Sequence, residues 1–208
     1  TRLRPSGSKG LLVSTLKAWQ RYHKESARLW EKQSLTKIRC VGGDLDLGMQ
    51  VQEIVNECIY GSTPSARDVA QGISSMRDTI WRQLVASQKQ IDLKAGYGGL
   101  LDIEFAAQYL QLVHGMEHVE LRRKSTVEVL SAAQELGLAG TEQCELLAAG
   151  YTFLRRLEHR LRIVHDRSEH HLPSDPQELD KLARRIGYPD GEQLHEDYSR
   201  WSRDVHQA

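Results

Sequence analysis

The segment RLRPSGSKG, at residues 2–10, places three cations beside a turn of small residues. If the first residues are extended, Arg2 and Arg4 project from the same face, and the serines and glycines after Pro5 bring hydroxyls and backbone N–H groups next to them. Such a surface suits phosphate, and Arg2, Arg4 and Lys9 are the candidate ligands. The alternative is a charged edge strand followed by a flexible turn, since the segment lacks the GxxxxGK(S/T) spacing of a P-loop.

A second segment, KAGYGGLLDIEF at residues 94–105, sets a lysine before three glycines and two carboxylates after them. This density of glycine and charge exceeds what a simple helix connection needs. We single out Lys94, Gly98, Gly99, Asp102 and Glu104 as candidate site residues, without assigning a role to each.

The two carboxylates of this segment are predicted to diverge. Residues two apart on a helix lie about 200° around its axis, so Asp102 and Glu104 are poorly placed to bind one metal ion or to share one proton transfer. Asp102 suits a first-turn acid that the helix dipole favours. Glu104 lines up with Gln108 and Gln111 in a polar stripe that faces either a cleft or solvent.

Two further charged segments complete the candidates. In WEKQSLTKIR at residues 30–39, Glu31, Lys37 and Arg39 either contribute to a site or form surface salt bridges. The segment HDRSEHH at residues 165–171 holds metal-capable side chains, but it lacks HxxxH or HExxH spacing, so we predict no metal site. Residue order supports no Ser-His-Asp or Cys-His catalytic arrangement.

Composition excludes some classes of partner. The 28 Lys and Arg are balanced by 28 Asp and Glu, so no global field attracts DNA, RNA or an anionic membrane. No apolar run approaches the roughly 20 residues that cross a bilayer, and no signal peptide pattern is present. These two features predict a cytoplasmic location. Cys40, Cys58 and Cys144 form no CxxC pair, which predicts reduced core residues.

The elements that must position these residues are mostly helical. Residues 1–4 and 11–14 predict two short strands around a turn. From Thr15 onward helical spacing takes over, and further helices are predicted from the capping residues Ser65, Ser125 and Asp175. The apolar stripes of these helices are Leu16, Trp19 and Tyr22; Leu29, Trp30 and Leu35; Val69, Ile73, Met76, Ile80 and Leu84; Ile103, Ala106, Leu110 and Val113; Leu147, Leu154, Leu157, Leu161 and Val164; and Leu194, Tyr198, Trp201 and Val205.

Four segments in the same order, RLRPSGSKGLLV, WEKQSLTKIR, LKAGYGGLLDIEFAAQYLQL and YTFLRRLEHRLRIVHDRSEHHLP, resemble the glutamine synthetase adenylyltransferase family over essentially the whole chain. The resemblance implies an enzyme of two homologous halves, each with a nucleotidyltransferase-like domain followed by a helical region. One half attaches AMP from ATP to a tyrosine of glutamine synthetase, and the other removes it by phosphorolysis. The segment LRPSG is more similar to the corresponding segment of the C-terminal, adenylylating half than to that of the other half.

The resemblance also implies where the chemistry lies. The family's metal-binding aspartates belong to a strand and a position before the RLRP segment, so we expect none of them in this chain, which opens without Met and reads as a fragment. Mg²⁺ and ATP are then requirements of the parent enzyme, and the fragment itself is predicted to be inactive. Expected partners are glutamine synthetase and the regulatory PII protein, with no nucleic acid and no membrane.

The resulting fold class is mainly α: a helical bundle-like domain with a small N-terminal β remnant of the nucleotidyltransferase domain. We assign residues 1–40 to that remnant and residues 41–208 to the helical domain. Three other functions stay open: the adenylyl-removing half, a helical regulatory module that binds glutamine synthetase or PII, and, as a more distant relative, a PII uridylyltransferase.

Overall fold

A computed structural model describes residues 13–87, 91–165 and 170–208, and within them the chain is mainly α-helical, as the sequence predicts. The described residues contain no strand beyond a single antiparallel bridge between Asp92 and His171. A 3-10 turn, Val119–Leu121, joins the fifth and sixth helices. The α-helices are α1 Leu16–Glu25, α2 Leu29–Leu35, α3 Leu45–Tyr60, α4 Ala66–Ser87, α5 Leu100–His114, α6 Thr126–Glu135, α7 Thr141–His165, α8 Pro176–Ile186 and α9 Gly191–Gln207.

Local sequence explains where several helices begin and end. The Ser65 and Ser125 hydroxyls accept from the N–H groups of Asp68 and Glu128, so both predicted caps are confirmed. Helix α8 begins with the Asp175 carboxylate on the N–H of Glu178, at 3.0 Å, and ends at Gly187, whose φ is 94°. Glycine adopts this left-handed conformation without the strain that other residues pay, which is why the helix stops there.

The described residues fall into two compact units. The first comprises the described residues up to Met76 together with Gln108–Val129, and the second comprises the described residues of the ranges 77–107 and 130–208. The predicted boundary at residue 40 between a nucleotidyltransferase remnant and a helical domain stays a prediction.

The first unit has an apolar core built mainly by α2, α3 and α5. Helix α3 contacts both α1 and α2. Partly buried residues that include Trp19, Leu29 and Ile73 pack against this core. Its buried members are Leu35, Val55, Ile59, Tyr60, Val69, Leu112 and Val113.

In the second unit, α7, α8 and α9 contact one another pairwise. The stripe predicted for α7 is confirmed at its four described positions, which are 8% exposed or less: Leu147, Leu154, Leu157 and Leu161. From α9, Leu194, Tyr198 and Val205 are buried as predicted, and Trp201 is half-buried. Burying these stripes against one another supplies the main stabilisation of the unit.

Three predictions need correction or fall outside the described residues. The strand at residues 1–4 lies outside them, and of the strand at 11–14 only Val13 and Ser14 are described, both irregular. Trp30 does not join the apolar stripe of α2, since it is 40% exposed. Cys40 is exposed and not a core residue, while Cys58 and Cys144 are buried, and burial raises the pKa of both thiols. Among the residues that the structure describes, no helix combines the length and apolar character that crossing a bilayer requires.

Candidate functional site

The predicted phosphate ligands Arg2, Arg4 and Lys9 lie outside the described residues. The geometry of the remaining candidates divides between the two units, and the glycine-rich segment belongs to the second.

The glycine-rich segment forms a tight, hydrogen-bonded turn that leads into α5. The turn starts at Asp92, whose carboxylate accepts from the N–H groups of Lys94, at 2.7 Å, and Ala95, at 2.9 Å. Two backbone bonds fix the start of the turn: Leu93 N–H donates to the His170 carbonyl, and Leu172 N–H donates to the Ile91 carbonyl. We call residues 92–99 the glycine turn.

Arg77 of α4 clamps this turn to the first turn of α5. Its Nη1 donates to the Ala95 carbonyl at 2.9 Å and its Nη2 to the Gly96 carbonyl at 2.7 Å. The same guanidinium donates from Nε and Nη2 to the two carboxylate oxygens of Asp102. Such a two-point contact between guanidinium and carboxylate fixes direction as well as distance. Asp102 is therefore the first-turn acid that the sequence predicts, and it is also the counter-charge of Arg77.

Close packing explains the glycines of the turn. Gly98 has φ 60°, and a Cβ there would lie 1.8 Å from the Ser202 carbonyl oxygen of α9. A Cβ at Gly99 would lie 2.9 Å from three carbonyl oxygens of the turn itself. The Ser202 hydroxyl also donates to the Tyr97 carbonyl. The glycine turn is thus pressed against α9, and only glycine allows the approach.

Glu104 belongs to a second polar arrangement, centred on Arg155 of α7. Its Oε1 accepts from the Tyr151 hydroxyl at 3.1 Å and from Arg155 Nη2 at 2.8 Å. Arg155 Nη1 reaches the other way, to Oε2 of Glu158 at 2.6 Å. Oε1 of Glu158 is held by Arg162 at 2.9 Å and faces His170 Nδ1 at 3.0 Å. We call these six residues, Glu104, Tyr151, Arg155, Glu158, Arg162 and His170, the Arg155 network.

Charge balance in the Arg155 network lowers the pKa of Glu158. The side chain is only 1% exposed, and burial acts to raise its pKa. The hydrogen bond from Arg155 and the charges of Arg155, Arg162 and His170 act in the opposite direction and together outweigh burial, so the pKa falls below its usual 4.5. Glu158 is therefore ionised at neutral pH.

These contacts decide what the two candidate carboxylates can do. Asp102 and Glu104 point to different guanidinium groups, as the helical spacing predicts, and each is neutralised by its partner. Within residues 13–87, 91–165 and 170–208, no three His, Cys, Asp or Glu side chains are grouped so that they could hold a metal ion. Asp102 and Glu104 therefore do not fit a Mg²⁺ site.

In the first unit, Glu31 and Lys37 hold the backbone in place. Glu31 is 8% exposed, and its two oxygens accept from the Tyr22 hydroxyl, at 2.7 Å, and from the N–H of Arg28, at 2.8 Å. Of the two predicted roles of Glu31, the surface salt bridge is therefore wrong. Lys37 donates to the Lys124 carbonyl and the Thr126 hydroxyl, at 3.0 and 2.9 Å, where α6 begins. Arg39 is exposed.

The glutamines that the sequence aligned with Glu104 face protein. Gln108 is 7% exposed and accepts from Gln33 Nε2 at 3.0 Å, while Gln111 is fully buried and donates to the carbonyls of Leu121 and Arg123. The predicted cleft or solvent exposure of this stripe is wrong for both glutamines. A buried amide needs partners within the protein: Gln108 finds one 75 residues away, and Gln111 finds its two 10 and 12 residues away.

Sequence reasoning missed Arg77 and did not assign Arg155 to Glu104. Arg77 lies beside the apolar stripe of α4, and Arg155 lies beside that of α7 next to Arg156, positions at which an arginine is usually exposed to solvent. The one available signal was the presence of carboxylates next to buried positions on α5, since such groups need a cationic partner.

Comparison with known proteins identifies the family. Residues 74–208 match the family model described as GlnD PII-uridylyltransferase, and residues 1–54 match that of glutamate-ammonia ligase adenylyltransferase. Relatives named bifunctional glutamine synthetase adenylyltransferase/adenylyl-removing enzyme are 41% identical over 92% of the chain in Nocardia farcinica and 34% identical over 99% in Cutibacterium acnes. A third, from Pseudomonas syringae pv. tomato, is 31% identical over 96%.

The matched region accounts for 19%, 21% and 20% of these three relatives, so the chain spans about a fifth of their length. The resemblance seen in the four sequence segments is confirmed by these alignments, which run through both described units. The chain belongs to the glutamine synthetase adenylyltransferase family.

Proposed function

We propose that this chain is a helical part of an enzyme that transfers AMP from ATP to a tyrosine of glutamine synthetase, or removes that AMP by phosphorolysis, in the control of nitrogen assimilation. The observation that carries the proposal is the 34% identity, over 99% of the chain, to a relative named bifunctional glutamine synthetase adenylyltransferase/adenylyl-removing enzyme. The alignment runs through both units, so it includes the glycine turn and the Arg155 network as well as the apolar core.

In this proposal the described residues support a reaction whose metal ligands lie elsewhere in the polypeptide. The five candidates in the glycine-rich segment divide accordingly. Gly98 and Gly99 allow close packing, Asp102 and Glu104 anchor α5 to Arg77 and Arg155, and Lys94 is exposed and available to a partner. A scaffold of this kind positions substrates without touching the reacting atoms.

The phosphate role of Arg2, Arg4 and Lys9 is part of the same proposal, together with a requirement of the longer polypeptide for ATP and Mg²⁺. We favour the adenylylating half because of the sequence LRPSG at residues 3–7. A cytoplasmic location and regulation by the PII protein complete the proposal. The alternatives are the adenylyl-removing half and a helical module that binds glutamine synthetase or PII.

A specific observation favours one competing function. The family model that covers the larger part of the chain, residues 74–208, carries the name of a PII-uridylyltransferase. That enzyme name implies a different nucleotide and a different acceptor, so the two functions are separable by experiment.

The experiment uses the longer polypeptide, meaning the parent enzyme to which this chain is proposed to belong. This enzyme is incubated with Mg²⁺, with labelled ATP or labelled UTP, and with glutamine synthetase or PII protein, in each of the four combinations. We expect label from ATP on glutamine synthetase, and its release as ADP when orthophosphate is added if the removing activity resides in the same polypeptide. Label from UTP on PII, with none on glutamine synthetase, would overturn the proposal in favour of the uridylyltransferase.

A further inference from the structure

An exposed aromatic cluster in the second unit borders the glycine turn, and the Arg77 guanidinium lies 5.8 Å from the centre of its Trp81 ring. Tyr97 of the glycine turn stacks on His206 of α9 with ring centroids 3.6 Å apart, and Trp81 of α4 approaches Tyr97 edge-on at 6.4 Å. Trp81 is 38% exposed and Tyr97 43%, and His206 is also exposed. We call these three residues the aromatic cluster.

The turn below the aromatic cluster is built to hold Tyr97 in solvent. Gly96, Gly98 and Gly99 on either side of Tyr97 are buried, and Tyr97's own carbonyl accepts from the Ser202 hydroxyl. Arg77 fixes the two carbonyls that precede Tyr97. An exposed aromatic ring on a fixed backbone loses little conformational entropy on binding, which is the property of a good contact residue.

Three cations lie close in sequence to the members of the aromatic cluster. Arg82 follows Trp81, Lys94 precedes Tyr97 within the same turn, and Arg203 lies one helical turn before His206. All three are exposed, and none has an acidic partner within 4 Å in the described part of the chain. The acids nearest to the cluster in sequence on the same elements are Asp78, which is exposed, Asp204, which is half-buried, and Asp92, which is buried.

We propose that the aromatic cluster and its rim, formed by Arg82, Lys94 and Arg203, are the docking surface for an acidic face of the protein substrate. This inference rests on the proposed function, which supplies a protein as the substrate. Trp, Tyr and Arg are the residues that most often dominate the energy of protein interfaces, and rim charges steer the partner.

The geometry favours a protein over a free nucleotide. One face of the Tyr97 ring is covered by His206, and the three cations come from three different elements. Cations distributed in this way suit negative charge spread over a surface, whereas a phosphate needs donors that converge on one point.

The test uses the longer polypeptide and glutamine synthetase as the probe. Two variants alter the surface: the double reversal Arg82→Glu with Arg203→Glu, and Tyr97→Ala. The matched control is Arg184→Glu with Arg185→Glu, because these two arginines of α8 are also exposed. Urea unfolding midpoints equal to that of the wild type would show that the double reversals fold normally.

We expect the reversal at Arg82 and Arg203 to raise the KM for glutamine synthetase on the order of tenfold, which corresponds to about 1.4 kcal/mol, with kcat and the KM for ATP retained. Tyr97→Ala should act in the same direction, and the control should match the wild type. A KM for glutamine synthetase unchanged in both surface variants would overturn the docking surface alone. A raised KM for ATP only would reject it in favour of a nucleotide site. A wild type that does not modify glutamine synthetase would overturn the proposed function as well.

Discussion

Gly98 and Gly137 allow two costs of replacing a glycine by alanine to be separated: the conformational strain of a positive φ and the clash of the added Cβ. Both have positive φ, 60° and 68°, but a Cβ at Gly98 would meet the Ser202 carbonyl at 1.8 Å, whereas nothing lies within 4 Å of one at Gly137. Gly137→Ala should therefore cost only the conformational strain, about 1 kcal/mol of unfolding free energy. Gly98→Ala should cost about 3 kcal/mol or more, because a backbone contact must also be broken. Urea denaturation of both variants measures the difference, and equal costs would show that the contact with α9 does not constrain the turn.

Glu158 should make stability depend on pH. Its folded pKa lies below the unfolded value of 4.5, so it stabilises the fold above that value and loses this contribution as the pH falls through the folded pKa. Glu158→Gln should therefore lower the unfolding free energy by about 2 kcal/mol at pH 7, because the buried side chain loses its charge-assisted hydrogen bonds to the partly exposed Arg155 and Arg162. The difference in unfolding free energy between Glu158→Gln and the wild type should become smaller below about pH 4.5.

The control for this prediction is Glu178→Gln. Glu178 pairs with Lys181 at 2.7 Å, but both side chains are substantially exposed, at 42% and 57%, so the pair should contribute little. Chemical denaturation between pH 3 and pH 7 compares the three proteins. If the difference in unfolding free energy between Glu158→Gln and the wild type stayed constant from pH 3 to pH 7, the stabilisation would not depend on the ionised form of Glu158, which would contradict the prediction.

At the scale of elements, α9 begins at a side-chain cap that can be tested alone. The Asp190 carboxylate accepts from the N–H of Gln193 at 2.9 Å. Asp190→Ala should lower the unfolding free energy by about 1 kcal/mol, while Asp190→Asn should retain most of the stability, since asparagine caps helices nearly as well. Thermal unfolding of the two variants provides the comparison. Equal losses in both would indicate that the charge, and not the cap, stabilises the start of α9.

Element boundaries were largely predictable because their signals are local. Ser65, Ser125, Asp175 and Gly187 act within three or four residues of themselves, so their effect can be read from the sequence. The partners of Asp102 and Glu104 could not be predicted in this way. Arg77 and Arg155 lie 25 and 51 positions away from them, and only the packing of helices brings such residues together. Trp30 and Cys40 show the converse error, in which an apolar residue at a plausible core position remains exposed.

At the scale of the whole chain, both units owe their stability to the burial of helical faces. Within the described residues, the second unit carries the glycine turn, the Arg155 network and the aromatic cluster, while the first holds Glu31 and Lys37 in structural roles. Each unit has its own apolar core, and this is why we expect the 208-residue chain to fold when it is produced alone.

The central proposal is that the chain is part of an enzyme of adenylyl transfer whose metal ligands lie outside the described residues. The most direct measurement incubates the purified 208-residue chain with glutamine synthetase, labelled ATP and Mg²⁺, with the longer polypeptide as the positive control and circular dichroism as the check on folding. The account predicts a helical spectrum and no label on glutamine synthetase from the chain alone, because Asp102 and Glu104 are each paired with an arginine. Metal-dependent labelling of glutamine synthetase by the folded chain would contradict it.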